Sequence, residues 1–275
     1  MELLVAITIS LVVMGTVFFT FKSQQDSYVE QDQVSEMQQN VRSAMYLITR
    51  DLQMAGYYTN FDPLTYTMDW DNLGTNESVR PLIYAHNDLA VSGDGVKDNT
   101  DLIVIVKASA KGRQLTAAEG ATGSTVDPSL RDVDNLTAGK CALLVKEDLT
   151  RAEFFQVQEN SGDMSLTYAL SETYEENDWI FRADVIIYFV NDDGELRRNN
   201  LGTQEGAQLI VENIRDLQFQ YLLNTGPPLV DDPTGNEADV RAVEVSITGE
   251  TRDEDEARRK TRTLCSRVKT RNIGL

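Results

Sequence analysis

Residues 3–21 read LLVAITISLVVMGTVFFTF, and this stretch decides how the rest of the chain is interpreted. It contains no charged residue and no proline, and it lies between Glu2 and Lys22. At the rise of an α-helix its nineteen residues extend about 28 Å, close to the hydrocarbon thickness of a bilayer. A helix also satisfies its backbone hydrogen bonds internally, as a lone segment in lipid must. The stretch therefore predicts a membrane-spanning helix.

The flanks of this segment separate two ordinary explanations for it. A cleaved secretory signal would begin with basic residues and end at a small-x-small cleavage site. Here a lone acid, Glu2, precedes the apolar run and Thr20-Phe21-Lys22 ends it, so a cleaved signal is disfavoured. An ordinary single-pass anchor fits the hydropathy. The residues that follow must therefore decide what kind of membrane helix this is.

The stretch after Lys22 continues the helical pattern. Residues 22–55 contain no proline or glycine, and Gly56 is a favourable helix stop. Apolar residues recur there at steps of three and four, which is typical of an amphipathic helix with one buried face. These residues are Val34, Met37, Val41, Ala44, Met45, Ile48, Leu52 and Ala55. We therefore predict one continuous helix over residues 1–56, about 80 Å long.

The remaining residues, 57–275, predict a β-rich globular head. Residues 57–100 are polar and rich in turn residues, so we expect a long connection there with little regular structure. Strand-like runs occupy residues 102–108, 141–147, 152–158, 164–170, 182–190, 195–198, 208–221, 240–248 and 261–270. Asn191-Asp192-Asp193-Gly194 predicts a hairpin turn, and a short turn should precede the strand that ends at Tyr221. A long helix followed by antiparallel strands predicts an α+β fold.

The charge of the chain excludes one class of partner. It has 44 acidic and 25 basic residues, giving a formal net charge of -19. Nucleic-acid binding depends on neutralising phosphates with Lys and Arg, so we expect no nucleic-acid partner. Residues 257–275 are an exception, with seven basic residues and no acid. We interpret them as the outer face of a last strand that lies against an acidic head.

Few residues suggest chemistry. His86 is the only histidine, so any Ser-His-Asp or Cys-His arrangement would need it, and we expect it to be a surface residue. The sequence has no HExxH, Walker A or GxGxxG motif. We therefore expect neither enzymatic activity nor a cofactor.

Two groups of oxygen-bearing residues have the chemistry, but not the EF-hand spacing, of calcium ligands. The first contains Asp94, Asp98, Asn99 and Asp101, and the second contains Asp231, Asp232, Asn236 and Asp239. Solvated acidic loops are the favoured interpretation of both, so no metal is expected.

The two cysteines, Cys141 and Cys265, fit no CxxC redox or zinc pattern. In an exported head they could form one long-range disulfide. The alternative is a pair of buried free thiols, and the sequence slightly favours the disulfide.

Several segments together resemble the type IV pilin family. Residues 2–7, ELLVAI, resemble the N-terminal signature shared by type IV pilins and type II secretion pseudopilins, in which a glutamate lies near the mature N-terminus. Residues 42–57, 184–198, 211–221 and 271–275 resemble segments of PilW-type minor pilins. Family members carry a short basic leader ending in glycine, whereas Met1 directly precedes Glu2 here.

The resemblance implies a fold, a function and partners. It implies a helix packed on a sheet, in a minor pilin that initiates or caps a type IV pilus. Its partners would be other minor and major pilins, the inner-membrane assembly platform and, before assembly, membrane lipid. The head would lie in the periplasm and later in the filament. Alternatives are a GspJ-like minor pseudopilin of type II secretion and a membrane-anchored ligand-binding or enzymatic ectodomain.

The resemblance also assigns residues. Glu2 matches the family glutamate and would act in assembly, although an incidental flanking charge is the simpler alternative. The apolar segment would form the membrane and filament-core helix. Its residues for that role are Leu3, Val5, Ile7, Ile9, Val12, Val13, Phe18 and Phe19.

Overall fold

The computed structural model describes most of the chain. The described residues are 2–57, 66–68, 77–79, 83–89, 95–116, 125–126, 133, 135–148, 152–160, 163–166, 173–203, 205–224, 226, 228–233, 236, 239–253 and 258–270. They form one helix and fourteen strands, and the strands pair antiparallel throughout. The predicted α+β fold, with a long N-terminal helix packed on antiparallel sheets, is confirmed.

Helix α1 (Glu2–Gln53) includes both the apolar segment and the amphipathic stretch without a break. It ends three residues before the predicted end, where the amides of Met54 and Ala55 bond to carbonyls three residues earlier, as in a tightened last turn. Gly56 has a φ of 75°, and its amide donates to the carbonyl of Val106 at 3.0 Å. Gly56 therefore both ends the helix and joins it to the head, because a left-handed residue suits glycine.

Nine strands form the larger sheet. They are β3 (Ile83–Leu89), β4 (Thr100–Gln114), β5 (Thr125–Val126), β6 (Cys141–Val145), β7 (Ala152–Asn160), β8 (Asp163–Leu166), β9 (Trp179–Val190), β10 (Leu196–Asn200) and β11 (Ala207–Val211). Strand β9 is central: one of its edges pairs with β4 along most of its length, and the other pairs with β6 at its start and with β10 at its end. The predicted turn between β9 and β10 is confirmed, with Gly194 at a φ of 73°.

Three later strands form a second sheet that lies against the helix. They are β12 (Ile214–Leu223), β13 (Val240–Glu250) and β14 (Thr261–Lys269), in that order. The predicted turn before β12 is confirmed at Asn213, whose φ is 61°. Inward residues alternate along β13, so Val243, Val245 and Ile247 are buried. This alternation matches the half-buried strand that the sequence predicts.

The main hydrophobic core lies between α1 and the two sheets. The apolar stripe of the helix supplies Val41, Ala44, Ile48 and Leu52 to it. Residues of β4, β9, β12 and β13 complete the core, among them Ile103, Tyr188, Phe219 and Val245. A separate cluster lies on the opposite face of the larger sheet and includes Val104, Leu143 and Ile187. The larger sheet is therefore buried on both faces near its centre.

One prediction for the head is wrong. Residues 57–100 are not simply a connection with little regular structure, because β1 (Tyr66–Met68), β2 (Glu77–Val79) and β3 lie within them. Strand β3 reads IYAHNDL and pairs with β4 along an edge of the larger sheet. Its polar residues have low strand preference, which explains why the sequence pattern did not show it.

Candidate functional site: an exposed apolar helix and its buried anchor

The apolar segment of α1 is exposed. The eight residues predicted to face the membrane or a filament core are exposed by 49–74 %: Leu3, Val5, Ile7, Ile9, Val12, Val13, Phe18 and Phe19. This helix is long and apolar enough to cross a membrane. An apolar surface of this extent marks a site that lipid or another protein covers.

The few polar side chains in the apolar segment are satisfied locally. Thr8, Ser10 and Thr20 each donate a hydroxyl hydrogen bond to the carbonyl four residues earlier, at 2.8–2.9 Å. Thr16 donates to the carbonyl of Val13 at 2.8 Å. Because these hydroxyls need no outside partner, they do not prevent the segment from lying in an apolar environment.

Glu2 lies in the first turn of α1 and is exposed. A carboxylate there is favoured by the positive end of the helix dipole. Within the described part of the chain, the Glu2 carboxylate has no hydrogen-bond or ion-pair partner. Glu2 therefore places a carboxylate at the tip of the apolar segment.

At the other end of the helix, a fully buried carboxylate attaches α1 to the larger sheet. Asp51 accepts hydrogen bonds from the Tyr188 hydroxyl at 2.7 Å, the Arg198 Nε at 3.0 Å and the Lys107 Nζ at 3.1 Å. Lys107, Tyr188 and Arg198 belong to β4, β9 and β10, respectively. One helical side chain thus joins three strands.

The strand register brings the partners of Asp51 together. Tyr188 and Arg198 are directly opposite each other across β9 and β10, so their side chains leave the same face of the sheet. The Arg198 Nε also donates to the Tyr188 hydroxyl at 3.2 Å. Lys107 lies on β4, the other neighbour of β9. The sheet therefore presents two cations and a hydroxyl to the point where the helix ends.

Burial alone would raise the pKa of Asp51, but its partners outweigh that effect. The hydrogen bond from Tyr188 and the charges of Lys107 and Arg198 hold the pKa of this carboxyl below its usual range. Burial and the neighbouring Asp51 charge raise the pKa of Tyr188, which keeps its hydroxyl protonated as a donor. The cluster is therefore a carboxylate held ionised by two cations and a phenol.

This lowered pKa predicts a specific loss of stability in acid. A carboxyl whose folded pKa lies below its unfolded pKa contributes stability above the unfolded value and loses it as pH falls through the folded value. We expect the difference in unfolding free energy between wild type and Asp51→Asn to be constant near neutral pH. Below about pH 4, the usual value for Asp, this difference should shrink. Urea titrations at several pH values would measure it, and a difference that is unchanged down to pH 2 would contradict the assignment.

Asp51 is the residue that sequence reasoning missed, although a signal was present. It lies on the apolar stripe of α1, three residues after Ile48 and next to Leu52. A charged residue on a buried face is rarely left unpaired. That position could have identified a buried acid, but not its partners.

Where the helix first meets the head, glycine allows close packing. A Cβ atom on Gly249 of β13 would lie 2.6 Å from the Val41 Cγ2 and 3.0 Å from the Met37 Cγ. The Asn40 side-chain amide donates to the carbonyl of Glu212 at 3.4 Å. Ion pairs flank this contact: Arg252 with Glu36 at 3.6 Å, Arg252 with Glu212, and Lys260 with Glu30. Such exposed pairs contribute little each, so the glycine contact and the apolar stripe define the docking.

The disulfide predicted between Cys141 and Cys265 is absent. Cys141 is buried on β6 of the larger sheet, and Cys265 is exposed on β14 of the smaller one. Both thiols are free, and the Cys265 thiol donates to the Ser246 hydroxyl at 3.5 Å. The alternative of two buried thiols is also wrong for Cys265. Sequence separation gave no information about which sheet each strand would join.

The two thiols should differ sharply in reactivity. Burial, with a smaller effect from Asp184, raises the pKa of Cys141 to about 12, so almost no thiolate exists near neutral pH. We expect the native protein to take up one equivalent of iodoacetamide at Cys265, and a second only after unfolding. Intact-mass measurement would check this, with Cys265→Ser as the variant that loses native labelling. Two thiols that stay unlabelled until a reductant is added would indicate a disulfide.

Among the described residues, those considered for catalysis or metal binding are not gathered into a site. His86 lies on β3 rather than in a turn, and its side chain falls outside the described residues. Asp101, a calcium candidate, is buried and accepts the amide hydrogen of Phe219 at 2.6 Å, which joins β4 to β12. Asp98 and Asn99 lie in the preceding turn, and Asp94 is outside the described residues. Among the residues that the structure describes, no group of three or more His, Cys, Asp or Glu side chains could hold a metal ion.

The second group of oxygen-bearing residues has structural contacts of its own. Asp231 accepts a hydrogen bond from the Gln220 amide at 2.8 Å, and the amide of Asp239 donates to the carbonyl of Asn236 at 2.9 Å.

The described part of the chain thus offers the apolar helix and its anchor as its most distinctive features. Comparison with known proteins gives no family assignment, since no family model matches the chain and no curated protein is significantly similar to it.

Proposed function

We propose that this chain is a minor subunit of a type IV pilus-like filament, with a structural and assembly role rather than an enzymatic one. One observation carries the proposal: a single unbroken helix that begins with an exposed apolar segment and whose second half is anchored in a head. A flexible linker after the membrane would be expected of an ectodomain that works independently of the membrane. The rigid helix instead suits a subunit whose head position is set by helix packing.

In this proposal the apolar segment first spans the inner membrane and then packs among the helices of other pilins or pseudopilins. The move costs little, because lipid and neighbouring apolar helices are similar environments, and packing and charge pairing decide the balance. Glu2 would pair with the N-terminal ammonium of a neighbouring subunit, which removes two charges from apolar surroundings. The head would contact other minor subunits and initiate or cap the filament.

The experiment that tests this role is cross-linking with mass spectrometry on sheared filaments and on membranes of the native host. The proposal expects this chain in the filament fraction, cross-linked through α1 to other pilin-like subunits. Glu2→Ala should reduce the amount in filaments several-fold while leaving membrane insertion unchanged. Asp32→Ala, at an exposed acid of the same helix beyond the apolar segment, is the matched control.

Three results would overturn parts of the proposal. A chain found only in membranes, alone and with a head that protease releases, would favour the anchored ectodomain. Normal incorporation of Glu2→Ala would remove the role of Glu2 while leaving the filament assignment intact. Co-fractionation with secretion pseudopilins rather than pilins would select the GspJ-like alternative.

A further inference from the structure

A cavity of about 390 Å³ lies at the end of the head where α1 terminates. Tyr57, four residues past the helix, forms one side of it, and Trp179 and Phe181 of β9 form another. Val145, at the end of β6, adds an apolar side chain to the lining, and Glu147 adds an acidic one. Three aromatic rings and a carboxylate therefore border one space.

The aromatic rings are held in a defined arrangement. Trp179 and Phe181 stack with centroids 5.9 Å apart and planes 18° from parallel. The Phe181 ring lies against β4 at Gly112, where a Cβ atom would overlap the ring. The bulge between Ala108 and Gly112 displaces the β4 backbone beside these rings. Glycine and a bulge together thus make room for a flat aromatic platform.

The carboxylate beside this platform belongs to Glu147. The Glu147 amide is fixed by a hydrogen bond to Asp178 Oδ1 at 2.8 Å, whereas its carboxylate has no partner within the described part of the chain. The adjacent cation, Lys146, is engaged elsewhere, with Asp178 at 3.3 Å and over the Tyr174 ring at 4.7 Å. Glu147 is also exposed, so a ligand can reach it.

Aromatic faces and a carboxylate both favour a cation. The negative face of an aromatic ring attracts a cation placed over it, most strongly for Trp. A planar guanidinium also stacks on such a face while its N–H groups pair with a carboxylate in a two-pronged hydrogen bond. The apolar walls at Val145 and Ala110 suit the methylene stem of such a side chain. The net charge of -19 adds a long-range attraction for a basic partner.

We propose that this cavity binds an arginine side chain of a partner protein, with the guanidinium stacked on Trp179 and paired with Glu147. The site is independent of the filament assignment, because it uses residues of the head alone. It would provide a specific contact at the end of the molecule opposite the apolar segment.

Calorimetric titration of the full chain in detergent micelles with N-acetyl-arginine amide tests the proposal. The citrulline analogue has nearly the same shape but no charge, and the lysine analogue has a charge but no planar group. We expect saturable binding of the arginine compound and at least tenfold weaker binding of both others. Glu147→Gln should weaken arginine binding by at least tenfold, and Trp179→Leu should also weaken it. Glu176→Gln, an exposed acid outside the cavity lining, should leave it unchanged.

Four results would overturn the proposal. They are the lack of saturable arginine binding by wild type, equal binding of the citrulline analogue, equal binding of the lysine analogue, and wild-type affinity in Glu147→Gln. Glu147 is exposed, so its substitution should not unfold the head, and an unchanged melting temperature would verify this. Membrane insertion plays no part in this readout, so failure here leaves the filament proposal standing.

Discussion

Replacement of Asp51 by alanine is expected to lower the free energy of unfolding of the head by about 3–5 kcal/mol. The substitution removes the acceptor shared by Tyr188, Arg198 and Lys107 and leaves two cations without their carboxylate in a partly buried site. Removing one partner of a buried ion pair costs more than the pair contributes, because the remaining charge stays desolvated. Urea unfolding of the full chain in detergent, followed by fluorescence, would measure the loss.

The same helix offers a matched control for this prediction. Asp32→Ala changes an exposed acid of α1 and should alter the unfolding free energy by less than about 0.5 kcal/mol. A double-mutant cycle of Asp51→Asn with Arg198→Met should show coupling, since the two side chains are in direct contact. Additive effects in that cycle would show that the contact does not anchor the helix.

Replacement of Val12 by aspartate is expected to abolish stable membrane insertion. Val12 lies at the centre of the apolar segment and is exposed, so the new carboxylate would have no partner from the head. At the centre of a membrane helix an aspartate costs about 3 kcal/mol, which corresponds to a loss of about two orders of magnitude in the insertion equilibrium. Carbonate extraction of membranes would detect the change as a shift of the chain to the soluble fraction.

The control for this experiment lies just outside the segment. Ser23→Asp adds the same charge beyond Lys22 and should leave insertion unchanged, because the interface tolerates charge. If Val12→Asp inserted as wild type does, residues 3–21 would not be the spanning segment. That result would also remove the basis of the filament proposal.

The helix and the positions of most strands from β4 onward were predictable because they rest on local periodicity. The three- and four-residue steps from Met37 to Ala55 correctly gave the buried face of α1, and Gly56 correctly gave its end within three residues. Asn191 to Gly194 likewise specified a turn by short-range chemistry. These signals need no knowledge of the rest of the chain.

The anchor and the cysteines were not predictable, because they depend on long-range pairing. Asp51 meets Lys107 and Arg198, which follow it by 56 and 147 residues, and no local pattern encodes such contacts. Cys141 and Cys265 are separated because β6 and β14 join different sheets. Strand β3 was missed for a related reason: its pairing with β4, rather than its composition, makes it a strand.

An unbroken helix also acts as a lever arm. The part of α1 that precedes Met37, the first buried residue, extends about 52 Å at the helical rise. A tilt of about 10° at the docking contact would therefore move the tip of the apolar segment sideways by roughly 9 Å, about one helix diameter. Small changes in packing around Gly249 would thus displace the far end of the helix by this distance. The geometry of the docking contact, rather than the apolar segment itself, sets the angle at which the head is presented.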